Sequence, residues 1–98
     1  MTFEEYCKNV ESSDEPPADL PETLQALWYA KKGEWEKAHT LAQNISSEDG
    51  SWIHANLHRE EGDLGNARHW YGRAIRPVST LSIEVERDEL IRTFLNTA

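Results

Sequence analysis

An all-α fold is predicted for this 98-residue chain, with five or six helices in antiparallel hairpins and a capping helix at the C-terminus. Three observations predict it. Apolar residues recur at three- and four-residue steps through most of the chain, the period of a half-buried helix. A turn pattern occurs twice: Gly33 matches Gly62, Ala38 matches Ala67, and Leu24, Ala26 and Trp28 match Ile53, Ala55 and Leu57, each pair 29 residues apart. The connections within each of the two units are too short for anything but antiparallel neighbours.

Phe3, Tyr6, Cys7 and Val10 stand at helical spacing and predict two turns from Thr2 to Val10. Ser12-Ser13-Asp14-Glu15-Pro16-Pro17 breaks any helix and reads as a tether, since proline lacks the amide proton and biases its predecessor to extended geometry. Residues 1–18 therefore form an acidic N-terminal arm, partly helical or flexible, and residues 19–98 form one helical domain. The first helix of that domain begins near Asp19-Leu20-Pro21-Glu22, where proline and acids suit a helix start, and Gly33 ends it. Glu34 starts the next helix, which carries Trp35, Ala38, Leu41, Ala42 and Ile45 inward. Asn44 to Gly50 reads as a turn, with Ser47 or Asp49 as cap, and the third helix runs from about Ser51 to Glu61. Asp63 caps a fourth, with Leu64, Ala67, Trp70, Tyr71, Ala74 and Ile75 inward and a stop before Pro77. From Ile83 to Thr97 the apolar set Ile83, Leu90, Ile91, Phe94 and Leu95 makes one face, with Glu84, Arg87, Asp88 and Arg92 on the other, as a terminal cap requires.

A net charge of -8 bounds the partners. Seven acids stand against Lys8 in residues 1–22, a net of -6, so the excess is concentrated at the N-terminus. No basic run exists to offset that field, which argues against nucleic acid as a partner. Cys7 is the sole cysteine, so no intramolecular disulfide forms, and nearby Glu4, Glu5 and Glu11 disfavour a thiolate. No run approaches the ~20 apolar residues of a spanning helix. A cytoplasmic protein that does not enter membranes is the expectation.

Gly62, Asp63, Ala67, Tyr71, Ala74 and Pro77 resemble the tetratricopeptide repeat, in which small residues sit where two helices cross. Gly33, Glu34, Trp35 and Ala38 match in the upstream unit, where Ala42 stands in place of the family's aromatic. The resemblance covers about residues 20–77 and implies a right-handed superhelix, or a bundle given that the spacing of 29 is shorter than the ~34 of the family. It also implies an inner groove lined by the first helix of each hairpin, here Thr23, Leu27, Lys31, Trp52, Asn56 and Arg59.

Trp52, Asn56, Lys31 and Arg59 on that face combine an exposed flat aromatic, an amide and two cations. This composition suits an extended peptide or partner helix with an acidic group or a C-terminal carboxylate. A solvated helix side is the plainer reading. The sharpest chemical signal is His54 and His58, four apart on one helix face, with His69 brought near by the hairpin, a pattern that offers ligands to a metal. Packed or half-exposed histidines are the simpler alternative, and no cofactor is expected. Glu60, Glu61 and Asp63 cluster at a turn, where acids are ordinarily solvated, and no nucleophile with a base accompanies them. The leading expectation is a non-enzymatic binding module; a small metal-binding or metal-dependent protein and a self-associating subunit, such as a homodimer, are the alternatives. The acidic arm is opposite in charge to Lys31 and Arg59, so folding of the arm into the groove is a further expectation to test.

Overall fold

The structure, a computed structural model, describes residues 1–97; Ala98, the last position of the expected domain, lies outside the described residues. Six helices account for the order of the chain: α1 Phe3–Ser12, α2 Glu22–Lys32, α3 Trp35–Gln43, α4 Glu48–Glu60, α5 Leu64–Ala74 and α6 Ile83–Thr97. Among the described residues there is no strand, and the fold is an all-α bundle. The hairpins α2–α3 and α4–α5 pack side by side through α3 and α4, α6 lies across α2 and α4, and α1 lies on α2 and α6.

Three helices stop by one device. Gly33 and Gly62 adopt left-handed backbone, with φ of 93° and 84°. Each donates its N–H three residues back while the next residue donates five back, Gly33 to Ala30 and Glu34 to Tyr29, Gly62 to Arg59 and Asp63 to His58. This closure satisfies carbonyls that have no partner within the helix, and glycine takes the conformation without steric penalty. The same pair of bonds ends α5, from Ile75 to Gly72 and Arg76 to Tyr71, but there the left-handed residue is Ile75, with φ of 57°.

Positions that match across the 29-residue spacing are inward in both hairpins: Leu24 and Ile53, Ala26 and Ala55, Trp28 and Leu57, and Ala38 and Ala67 are all buried. The alanines let helix backbones approach closely. Helix α4 is the centre of the bundle, since eight consecutive residues from Ser51 to His58 are buried. A helix covered on every side must satisfy its polar residues inside the fold, and this requirement governs the site described below.

Residues 1–18 contribute to the core. Thr2 and Glu5 form a reciprocal capping box at the start of α1. Tyr6 is fully buried and its hydroxyl donates to the Leu24 carbonyl, while the Trp28 indole donates to Asn9 Oδ1 at 2.8 Å. Lys32 Nζ donates to the Val10 and Ser13 carbonyls at 2.6 and 2.7 Å, where the C-terminal end of the α1 dipole favours a cation. The arm therefore lies on the α2–α6 edge, where the Phe3 ring stands 5.9 Å from Lys31 Nζ, and α6 supplies the acids that pair with Lys31 and Arg59.

The start of α4 differs from expectation. Helix α4 begins at Glu48, with Ser47 at the cap position but no side-chain hydrogen bond from it, and Gly50 lies within the helix. A Cβ at Gly50 would stand 2.2 Å from the Ile45 carbonyl oxygen and 2.8 Å from Ile45 Cβ, so the glycine serves a close backbone approach rather than a turn. Gly50→Ala should consequently destabilise the fold by about 1–3 kcal/mol through overpacking, read as a lower urea midpoint at unchanged m-value.

Candidate functional site

Trp52, Asn56 and Arg59 follow one another at four- and three-residue steps along α4, and all three converge on Glu86 of α6. The Trp52 indole donates to Oε2 at 3.1 Å, Asn56 Nδ2 to Oε1 at 2.9 Å and Arg59 Nη1 to Oε1 at 2.7 Å. Tyr71 of α5 donates its hydroxyl to the same carboxyl at 2.6–2.7 Å. Glu86 is only 1% exposed, and four side chains from two helices surround it. Burial, followed by the bond to Glu86, raises the Tyr71 phenol above its ordinary range, so it remains a donor.

The neighbouring residues of α6 complete the contact. Arg87 is buried, donating to Asn56 Oδ1 at 2.8 Å, to the Ala30 carbonyl at 3.3 Å and to Glu60 Oε1 at 2.6 Å. Asp88 pairs with Lys31 at 2.9 Å. Arg59 also reaches the Leu81 carbonyl, and Arg76 lies over the Trp52 ring at 3.4 Å. Of the sequence-predicted contact residues, Trp52, Asn56 and Arg59 are thus brought together on Glu86 and Lys31 pairs with Asp88, so the acidic groups they hold are the chain's own. Trp52 is 3% exposed, against the expected exposed aromatic, because α6 covers it. Arg87, expected on the outer face of α6, points inward, since it stands four residues after Ile83 and three before Leu90.

A second cluster lies on the opposite flank of α4. One ring nitrogen each of His39, His54 and His58 lies within 4.8 Å of the other two. The His54 and His58 rings are parallel, 5.8 Å apart, and His39 from α3 stands nearly perpendicular to both at 4.9 and 5.4 Å. Trp35 stacks on His39 at 4.7 Å and Trp70 on His54 at 4.1 Å, which fixes the ring planes. His58 Nδ1 lies 2.6 Å from Glu61 Oε1, leaving Nε2 as its free nitrogen. Burial, then the neighbouring His39, His58 and Arg73, lowers the His54 pKa to about 4, and burial and His58 also lower that of His39.

The spacing of four correctly paired His54 with His58, but His69 is not the third member. Two residues beyond buried Ala67, a helix has turned ~200°, so His69 faces outward and is exposed. His39 takes its place. Its signal was a position four residues after Trp35 on the helix that packs against α4, which only the crossing of two hairpins makes visible. The turn acids have structural partners: Glu60 with Arg87, Glu61 with His58, and Asp63 with the Asn66 N–H as helix cap. Burial pushes the Cys7 thiol up.

Comparison with protein-family models, with curated proteins and with solved structures finds no match to this chain.

Two outcomes follow. Glu86→Ala should cost about 3–5 kcal/mol in urea unfolding, because it leaves Arg59 and three neutral donors without their buried acceptor. His54 is held neutral in the fold, so the unfolded chain binds a proton first as pH falls. Stability of chelator-treated protein should decline from the ordinary histidine range near pH 6.5 down to about pH 4, and His54→Gln should flatten that decline.

Proposed function

We propose that the protein is a non-enzymatic binding module of tetratricopeptide-like, helical-repeat character whose partner-contact surface is the segment 75–85, the α5–α6 connection and the first residues of α6. The observation that carries this reading is Ile75. It occupies the left-handed position that glycine holds at the ends of α2 and α4, yet it is β-branched and 76% exposed. Such backbone is unfavourable by about 1–2 kcal/mol for a residue with a Cβ, and the exposed side chain returns little packing. Strain held in place with an apolar group in water fits a contact with another molecule.

Val78, Leu81 and Val85 extend the exposed apolar character along the same segment. Arg73 and Arg76 flank Ile75 in sequence, so the fitting partner is a protein surface or helix with an apolar face and acids beside it. A second copy of the chain is one such partner, and sedimentation at several concentrations identifies it. The inner face of α2 and α4 supports the same class of function less directly, because its donors are already matched to Glu86. Among the described residues no helix is long and apolar enough to cross a membrane. A cytoplasmic role accords with the lone cysteine.

Ile75→Gly separates strain from function. The variant should be more stable by about 1 kcal/mol yet lose, together with Val85→Lys, the partners that wild type retains in affinity capture with identification by mass spectrometry. Retention of the same partners by both variants would reject this surface.

A further inference from the structure

The geometry points to a divalent transition-metal site, with zinc as the fitting ion, formed by His58 Nε2 and one ring nitrogen each of His39 and His54. Three imidazoles from two helices place one nitrogen of each ring within 4.8 Å of the other two. Tetrahedral zinc, at ~2.0–2.1 Å from each nitrogen, sets ligand atoms ~3.3 Å apart. The difference is closed by small side-chain rotations about one common point.

Four features distinguish the trio from histidines merely packed together. The ring of His39 stands across the parallel pair rather than stacking on it, so three nitrogens converge on one space. Glu61 accepts a hydrogen bond from Nδ1–H of His58 at 2.6 Å, which leaves the lone pair on Nε2 and supplies the outer carboxylate that metal-bound histidines commonly carry. Trp35 and Trp70 lie against the outer faces of His39 and His54 and hold the ligands in orientation. Among the described residues neither His39 nor His54 hydrogen-bonds to another protein group, although His54 is buried. Among the described residues no wholly buried side-chain nitrogen or oxygen lacks a partner, so these nitrogens reach water at the rim of the cluster.

Borderline-soft nitrogen donors without a carboxylate in the inner set select zinc, nickel or copper over magnesium and calcium. Three protein ligands leave a fourth position for water. Bound there, the ion ties α3 to α4, the contact between the two hairpins. The site shares no residue with segment 75–85, so its failure and that of the proposed contact surface are separate results.

Full-length protein stripped of metal with a chelator should bind one equivalent of Zn²⁺ with a Kd on the order of 1 μM or tighter. Co²⁺ in its place should give the visible absorption of a four-coordinate centre, and Cu²⁺ should quench tryptophan fluorescence through Trp35 and Trp70. His39→Gln, at a half-exposed position, keeps the fold by circular dichroism and should weaken Zn²⁺ by at least ~100-fold; Glu61→Gln should weaken it ~10–100-fold. His69→Gln should bind as wild type does. Zn²⁺ should raise the thermal midpoint of wild type and not of His39→Gln. No binding by wild type at 100-fold weaker affinity than expected, equal affinity in His39→Gln, or an equal loss in His69→Gln would overturn the assignment.

Discussion

The carboxyl of Glu86 is the interaction on which the arrangement of the helices depends. It enters a bundle whose central helix is buried from Ser51 to His58, and that helix presents an indole N–H, an amide and a guanidinium at successive turns. Polar groups so placed would each lose water without return unless something accepted their hydrogens. One carboxylate accepts from all three and from Tyr71, and this fixes the rotation of α6 and its position along α4. A buried ion pair adds little net stability over a well-packed apolar equivalent, but removing one partner is severe. Its consequence here is register: α6 cannot slide by a turn without leaving Arg59 unpaired.

Arg87 and Asp88 extend that logic to the other hairpin. Arg87 bridges Asn56 and Glu60 of α4 to the Ala30 carbonyl at the end of α2, and Asp88 meets Lys31 beside it. Three consecutive residues of α6 thus tie both hairpins together. The face that would be an open groove in a longer stack of hairpins is closed by the chain itself. The acidic N-terminal arm lies along the edge of this face, with the Phe3 ring 5.9 Å from Lys31 Nζ, because its own apolar residues, Tyr6 and Val10, have a place on α2 and Lys32 anchors its end.

Much of the fold was legible because helix ends and crossings carry local chemistry. Gly33 and Gly62 mark left-handed terminations, Pro21 a helix start, and the matched alanines the points of closest packing. What misled was polarity set against period. Glu86 and Arg87 lie on the inward face by spacing from Ile83, Leu90 and Phe94, but ionisable side chains are rarely buried unpaired. Only the positions of their partners on α4 show that they are paired. Gly50 misled in the converse way, since a glycine demanded by close approach has the same letter as one demanded by a turn. His54 and His58 were legible as a pair because they share a helix, whereas His39 depends on how α3 crosses α4, a relation that no local pattern contains.

The two flanks of α4 show opposite states of polar satisfaction, and this difference separates what the fold has completed from what it leaves open. On the Glu86 side every donor meets an acceptor inside the chain, at distances of 2.6–3.1 Å. On the histidine side only His58 has a protein partner, while His39 and His54 are fixed by aromatic stacking rather than by hydrogen bonds. Stacking sets the plane of an imidazole but leaves its nitrogens unused. Three rings held in orientation with nitrogens unspent require an external atom to complete them, and water or a metal ion are the groups small enough to enter. Ile75 is the apolar counterpart, a side chain held in an unfavourable backbone state that gains little from its own fold.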